Sequence, residues 1–447
     1  MTRKIYKRCL KRDFSDDKDN LEPIGDGPTT CPLSSMVSID PESLPFGTSD
    51  DFQFYYFDIS SAANGRLQQP DMLTTYAEAP SRARRILRNG DVLMSTVRPN
   101  LKAFAYCNLP EGNYVASTGF AVLRAIQGND PRFILYSILS DDIARQIESR
   151  IVGSNYPALN SSDVSRLLIP NWKPSQQSRI AEILSTIDEI IEKTESLITK
   201  YQQIKAGLMH DLFTRGVTAD GKLRPCREQA PELYKETPIG WIPEEWNVSV
   251  LEQLCNIIDP QPDHRTPPEQ EDGIPYIGIG DFDAFGEIDV SSCRRIIVPA
   301  FLRQKRRFSV EAGDILYGKI GTIGQPKRLP GSAYALSANV LLMKPFINKQ
   351  YFLHALTTRC FEKQISDITN TTSQPALGIE KVRKLLLPTP SLVERLFIAQ
   401  YIDQIDLKLA KEFSIARKLM MQKFGLMYDL LTGHVRVSRN IAMEETR

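Results

Sequence analysis

Two segments of the chain carry apolar residues at alternating steps of four and three positions. They cover residues 180–212 and 398–430, so that each position of the first recurs 218 residues later. This sustained alternation predicts two α-helices, each with one narrow apolar seam. Prolines precede both segments, and Gly216 and Gly433 follow them, as is typical where helices end. The apolar seam positions are Ile180, Leu184, Ile187, Ile191, Ile198, Leu208, Leu212, Ile398, Ile402, Ile405, Leu409, Leu419, Leu426 and Leu430.

Two matched seams each need a partner, which favours a single two-stranded coiled coil within the chain. The alternative is that each helix packs separately on its own neighbouring module. Pseudo-two-fold symmetry between tandem repeats would make the coiled coil antiparallel. With the first seam residue opposite the last, we expect Lys423 to lie near Asp188 and Lys205 near Asp406.

The repeat extends beyond the helices. Pro157-Ala158-Leu159 aligns with Pro375-Ala376-Leu377 at the same shift, and Gly90-Asp91 aligns with Gly313-Asp314 at a shift of 223. Each half is therefore one module followed by one helix. Short β-rich runs separated by Gly, Pro and Asn predict mixed α/β modules, each with a helix, around 131–150 and around 349–365.

The predicted fold class is α+β: two mixed α/β modules joined by two long helices that form an antiparallel coiled coil, with a pseudo-two-fold internal repeat. The expected segments are an N-terminal extension (1–30), a first module (31–174), a central helix (175–215), a linker (216–248), a second module (249–390), a C-terminal helix (391–434) and a tail (435–447).

Composition indicates a globular, reduced protein. Of the 447 residues 42% are hydrophobic and 24% are charged, with a formal net charge of +1. That charge argues against a dedicated polycation but is compatible with a local basic face. The seven cysteines are widely spaced and form no CxxC motif, so we expect neither a disulfide framework nor a zinc site. The charged N-terminus and the lack of an 18-residue apolar run predict a cytoplasmic protein.

Basic residues cluster around the Gly-Asp pair of each module. Such clusters, present in both halves, are typical of contacts with nucleic-acid phosphates, and arginine can also read guanine. The alternative is a solvated strand face. The candidate DNA-binding residues are Arg82, Arg84, Arg85, Arg88, Arg98 and Lys102 in the first module, and Arg303, Lys305, Arg306, Arg307, Lys319, Lys327 and Arg328 in the second.

Motifs for catalysis are missing from the sequence. The four histidines, at 210, 264, 354 and 434, show no metal-ligand spacing, and Gly318-Lys319 lacks the frame of a nucleotide-binding loop. No Gly-x-Ser-x-Gly elbow or adenine-methyltransferase tetrapeptide is found. Asp314 is expected to cap a turn. We therefore expect no catalytic residue, no metal and no cofactor on this chain.

Several motifs together resemble one family. The segment from Tyr234 to Trp246 is similar to the linker before the second recognition domain of type I restriction–modification specificity subunits, the HsdS family. Gly313-Asp314-Ile315-Leu316-Tyr317-Gly318 resembles that family's recognition-domain core. Asn155 to Leu159 and Ser373 to Leu377 resemble its junctions between module and helix, and 183–188 with 205–212 resemble its central helix.

The resemblance implies a non-catalytic subunit that reads a bipartite site on double-stranded DNA. The modules would be target-recognition domains, and the helices would set the unread gap and dock two methyltransferase subunits. S-adenosylmethionine, ATP and magnesium would be bound by those subunits and by the translocase and nuclease subunits. The first module lacks the Gly-x-x-Gly loop found at 321–324, so an asymmetric target is expected. A seam about 50 Å long, at about 1.5 Å per residue, matches at most about 14–15 base pairs.

Three alternatives remain open at the level of sequence. The chain could serve a related system in which methyltransferase and nuclease are fused in one partner. It could be a coiled-coil adaptor between proteins, which would have no affinity for DNA. It could be a stand-alone nuclease or methyltransferase, which would show turnover by itself.

Overall fold

The computed structural model describes residues 27–126, 128–150, 158–263, 265–283, 286–331, 334–369 and 376–435. Most of the predicted N-terminal extension and tail lie outside the described residues, as do His264 and the junction residues 155–157 and 373–375. The chain divides into two compact units. The first unit contains the described residues up to Lys193 and those from Arg417 onward; the second unit is Thr194–Ala416.

The first unit contains most of the shorter strands. Its strands are β1 (Thr30–Pro32), β2 (Val37–Ile39), β3 (Gln53–Phe57), β4 (Ala62–Ala63), β5 (Arg66–Leu67), β6 (Thr74–Thr75), β7 (Ala83–Leu87), β8 (Val92–Ser95), β9 (Phe104–Tyr106), β10 (Tyr114–Ser117), β11 (Phe120–Ala125) and β12 (Leu168–Pro170). Its helices are α1 (Pro131–Leu139), α2 (Asp141–Arg150), α3 (Ser161–Ser165) and the first part of α4 (Pro174–Thr214).

The second unit follows the same plan with different loops. Its strands are β13 (Tyr234–Thr237), β14 (Gly240–Pro243), β15 (Asn247–Val250), β16 (Cys255–Ile258), β17 (Glu269–Ile277), β18 (Arg295–Ile296), β19 (Ile315–Gly318), β20 (Gly324–Arg328), β21 (Ala335–Leu336), β22 (Val340–Pro345) and β23 (Leu386–Thr389). Its helices are α5 (Leu251–Leu254), α6 (Val298–Arg307), α7 (Lys349–Ala355), α8 (Arg359–Thr369), α9 (Ile379–Arg383) and the first part of α10 (Leu392–Thr432).

Both modules are built on the same antiparallel sheet. Its strand order is β2-β11-β8-β9 in the first module and β16-β22-β19-β20 in the second. A second sheet in each module contains one parallel pair, β3 with β10 and β17 with β21. A short antiparallel pair, β1 with β12 and β15 with β23, closes each module next to its long helix. The internal repeat read from the sequence is therefore a repeat of topology.

Alternation along the central strands builds two core layers in each module. Val92 and Met94 of β8 join the cluster that includes Phe133 of α1, whereas Leu93 points to the other face and joins Phe57 of β3. In the second module, Ile315 and Tyr317 join the helices, and Leu316 joins the cluster under the second sheet. This is the two-residue period of a strand that is buried on both faces.

The prediction of a single helix around 131–150 is wrong. The structure has α1 and α2 there, separated by Ser140 in an extended conformation. The expected helix around 349–365 is likewise divided, into α7 and α8, with Leu356 as the C-cap of α7. Ser140 and Thr358 lie at these two breaks. Serine and threonine favour helix ends because their hydroxyl groups form local hydrogen bonds with the backbone.

The two long helices pair in antiparallel fashion within each unit. In the first unit Ile180 and Leu184 of α4 share a core cluster with Leu430 of α10; in the second, Ile198 packs with Leu409. All the predicted seam residues are buried or half-buried. The division between units falls inside both helices, because each module packs with one half of each helix.

Both predicted cross-helix ion pairs are present. Lys423 Nζ lies 2.6 Å from Asp188 Oδ1 in the first unit, and Lys205 Nζ lies 2.5 Å from Asp406 Oδ1 in the second. The register derived from the repeat is therefore confirmed. The helices end at Thr214 and Thr432, followed by Gly216 and Gly433 with φ of +64° and +82°, a conformation that glycine adopts without strain.

Candidate nucleic-acid interface

The Gly-Asp pair forms the same buried turn in both modules. Asp91 Oδ2 accepts a hydrogen bond from the backbone N–H of Arg88 (2.8 Å), and Asp314 Oδ2 accepts one from that of Glu311 (2.9 Å). Both aspartates are 1% exposed. The prediction that Asp314 caps a turn is confirmed, and Asp91 does the same in the other half.

Cations that the sequence analysis missed neutralise these two carboxylates. Arg124 of β11 donates to both oxygens of Asp91 at 2.8 Å, and these hydrogen bonds raise the pKa of Arg124 despite its burial. Lys344 of β22 and Lys349 of α7 contact Asp314 at 2.7 and 3.0 Å. Burial lowers the pKa of Lys344, but its hydrogen bonds to Asp314 and Glu311 outweigh this and raise it. Arg124 and Lys344 occupy the same position of matching strands, so the repeat in the sequence could have identified them as a pair of equivalent cations.

The first basic cluster lies on and beside strand β7. Arg84 donates to the Tyr76 hydroxyl and lies over its ring, and Arg85 forms an ion pair with Asp40 at 2.9 Å. Arg88 is exposed but contacts Glu42 at 2.8 Å. Arg82 is exposed, and its guanidinium has no hydrogen-bond or ion-pair partner among the residues that the structure describes.

The second basic cluster lies on helix α6, whereas the first lies on strand β7. Pro299 in the first turn and the helix-favouring Ala, Leu, Gln, Lys and Arg that follow it explain the helix. Gln304 on its buried face bonds both the N–H and the C=O of Leu336 and fixes the rotation of the helix. This leaves three exposed cations, Arg303, Lys305 and Arg306, whose side chains have no hydrogen-bond or ion-pair partner in the described ranges.

Arg307, at the end of α6, has a structural contact. Its guanidinium donates to the carbonyls of Asp259 (3.0 Å) and Pro260 (3.1 Å), which follow β16. Arg307 is still exposed, but these two carbonyls already accept hydrogen bonds from its guanidinium, which leaves fewer donors for a phosphate. The basic residues of the last turn also lie where a cation favourably meets the helix dipole.

Lys319 must be removed from the candidate surface. It is 2% exposed, and its ammonium lies 2.6 Å from Asp259 Oδ2. Asp40 and Asp259 each precede a proline after the first strand of the central sheet, and they neutralise Arg85 and Lys319 respectively. The Asp-Pro pair recurs in both halves of the sequence, but it does not indicate which cation each aspartate neutralises.

The remaining candidates divide between exposed and internal positions. Lys102 is half-buried and donates to the Leu139 carbonyl at 2.8 Å, at the end of α1. Lys327 lies 6.0 Å from the centre of the Phe282 ring. Arg98 and Arg328 are exposed. The cations best placed for phosphates are therefore Arg82, Arg98, Arg303, Lys305, Arg306 and Arg328.

The module-to-helix junctions are built alike where they are described. Leu159 N–H donates to the Thr96 carbonyl at 2.8 Å, and Leu377 N–H donates to the Lys319 carbonyl at 2.9 Å. Each junction thus attaches to the segment just after the Gly-Asp strand. In the linker, Trp246 is fully buried and its Nε1–H donates to Glu394 at 2.9 Å, which ties the linker to the start of α10.

Among the described residues, no helix is long and apolar enough to cross a membrane.

Comparison with known proteins gives a consistent result. The family model for the type I restriction modification DNA specificity domain matches residues 56–204 and 243–415. The MjaVIII type I restriction enzyme specificity subunit of Methanocaldococcus jannaschii is 25% identical over 318 residues, which cover 69% of this chain and 71% of that protein.

Two solved structures share the fold. One, from work on complex assembly and conformational transition of the type I R-M system, aligns with a TM-score of 0.52 at 22% identity, covering 93% of this chain and 100% of that one. The other, the S subunit of a type I restriction–modification system from M. genitalium, gives a TM-score of 0.54 at 15% identity, covering 90% and 96%.

Proposed function

The chain belongs to the family defined by the type I restriction modification DNA specificity domain, and from this premise we propose that it is the DNA-recognition subunit of such a complex. The single observation that carries the proposal is the duplication: two modules with one sheet topology, each matched by the family model and each joined to one helix of an antiparallel pair.

The two modules read different base sequences. The central sheets have the same strand order, but the first basic cluster lies on strand β7 and the second on helix α6. A strand and a helix present side chains to a groove with different spacing and direction. The target is therefore bipartite and asymmetric. Arg303, Lys305 and Arg306 contact the backbone or bases of one half-site, and Arg82 with Arg98 contact the other.

The paired helices set the number of unread base pairs between the half-sites. Each helix has 41 residues, or roughly 60 Å at about 1.5 Å per residue. Two helices paired by a continuous seam and two buried or half-buried ion pairs resist bending more than a single helix or a flexible linker. A fixed separation is what a two-part DNA reader requires.

The chemistry belongs to partner subunits. Two methyltransferase subunits dock on the helices, bind S-adenosylmethionine and modify an adenine that is flipped out of the duplex. Translocase and nuclease subunits bind ATP and magnesium and join for restriction. The chain itself is not catalytic. An equivalent assembly in which methyltransferase and nuclease are fused in one partner would use this chain in the same way.

A salt titration of DNA binding tests the proposal. The complex of this chain with its methyltransferase partner should bind one bipartite sequence far more tightly than random duplex, with log Kd rising steeply with log salt. A protein–protein adaptor would show no DNA affinity at any salt concentration. A stand-alone enzyme would methylate or cut DNA without partner subunits.

A further inference from the structure

The two units repeat one polar contact where a module helix meets the long helices. In the first unit Tyr136 of α1 donates to Asp188 Oδ2 at 2.8 Å, and Lys423 Nζ contacts Asp188 Oδ1 at 2.6 Å. Burial and the Asp188 carboxylate raise the pKa of Tyr136, so its hydroxyl stays protonated and donates. A shift of 218 residues maps Tyr136 onto His354 and Asp188 onto Asp406.

The second unit changes two positions of this contact. Tyrosine is replaced by His354, and Ser185 of the first half corresponds to Asp403 in the second. His354 Nε2 lies 3.0 Å from Asp403 Oδ1. Asp406 follows one turn later on α10, and one nitrogen or oxygen atom from each of the three residues lies within 4.8 Å of the others. His354 is buried, and both aspartates are half-buried.

We propose that His354, Asp403 and Asp406 bind a divalent transition-metal ion of the zinc class. Zinc accepts histidine nitrogen and carboxylate oxygen at about 2.0–2.2 Å, which places the donor atoms of a tetrahedral site roughly 3.4 Å apart. The observed separations are close to that value: His354 Nε2 lies 3.0 Å from Asp403 Oδ1, and the donor atoms of all three residues lie within 4.8 Å of one another. One imidazole with two carboxylates favours zinc and its neighbours over calcium or magnesium, which prefer oxygen ligands throughout.

Comparison of the two units favours a set of metal ligands over the simple replacement of one polar contact by another. At the matching positions of the first unit, Tyr136 and Ser185 leave Asp188 as the single ligand of the metal-binding type. Both changes in the second unit, to His354 and Asp403, add such a ligand. Both added ligands belong to one site, because the side chains of His354 and Asp403 contact each other.

The competing cation at this site is Lys205. It contacts Asp406 Oδ1, and its side chain is 29% exposed, whereas that of Lys423 in the matching pair is 8% exposed. A flexible, partly solvated ammonium can move into water at low cost. The metal ion takes its place on Asp406 and joins helix α7 of the second module to α10, which stabilises the second unit by an amount that rises with the logarithm of the free metal concentration above Kd.

Equilibrium dialysis of the chelator-treated full chain with Zn²⁺ tests the site. We expect one Zn²⁺ per chain with a Kd below about 1 µM, and a higher Tm on Zn²⁺ addition. Asp403→Ser, which places the first half's residue at a partly exposed position, should weaken binding at least about 10-fold. His354→Tyr should do the same, and Lys205→Met should tighten binding because the competing charge is removed.

The matched control is Asp188→Asn in the first unit, which should leave Zn²⁺ affinity unchanged. The proposal is overturned if saturable binding requires more than about 1 µM Zn²⁺, or if Asp403→Ser binds Zn²⁺ as tightly as the parent chain. Neither result would affect the proposed DNA recognition, which does not depend on the metal.

Discussion

Single residues decide which of the basic side chains are available to a ligand. By charge and spacing alone, Arg85, Lys319 and Arg306 are equally good candidates for contacts with DNA. The first two are ion-paired inside the module, whereas the third is exposed. The difference depends on Asp40 and Asp259, which are distant in sequence from the cations they neutralise. A sequence pattern predicts a cluster of cations, whereas their partners are a property of the fold.

Replacing Arg303 and Arg306 together with Ala should weaken specific DNA binding and reduce the salt slope by about 2, since each phosphate contact contributes about 0.9. If either arginine reads a base, one half-site should also become less selective. Fluorescence anisotropy across a salt series measures both effects. The control is Lys384→Ala, an exposed lysine of the same module outside the cluster; equal affinity of both variants would show that α6 faces solvent.

Asp314→Asn should destabilise the second unit by about 2–4 kcal/mol, because it leaves two lysines without their buried counter-charge. Urea unfolding of the full chain, followed by a probe in the second unit, measures the change. The matched control is Glu311→Gln, which removes an exposed partner of the same Lys344 and should have a much smaller effect. Similar losses from the two variants would contradict this account of the turn.

Elements were predicted well where the pattern was periodic and poorly where it was short. The seam and the repeat together predicted the long helices, their antiparallel pairing and both ion pairs, because two matched seams restrict the register. The break between two helices at 131–150 was missed, although Ser140 followed by Asp141 and Asp142 separates an apolar segment from a charged one. The different structures of the two basic clusters were also missed, although Pro299 in a first turn indicated the helix of the second.

Lys423→Met should loosen the pairing of α4 with α10 in the first unit more than Lys205→Met does in the second. Lys423 is the more buried lysine, and its loss leaves Asp188 with the Tyr136 hydroxyl alone. Hydrogen exchange of 174–193, read by mass spectrometry, should become faster. Lys418→Met on the exposed face of the same helix is the control, and equal exchange in both variants would show that the ion pair does not hold the helices together.

At the scale of the whole molecule, the same module and helix occur twice, with different side chains on the module surfaces. Topology, turn, junction and ion pair recur in both halves, whereas the surfaces that would meet DNA differ. Greater divergence in the modules than in the helices is expected if the helices share one task and each module recognises its own sequence. The family match to both halves agrees with this division.

The central claim is that the length of the paired helices determines the gap between two half-sites. Seven residues inserted after Lys193 and seven after Arg417 preserve the heptad seam and add about 10 Å, or up to about 3 base pairs. Sequencing of methylated DNA from cells that express the altered chain with its partner subunits measures the target directly. We expect the same two half-sites with a longer gap between them, and methylation at the original spacing would contradict the account.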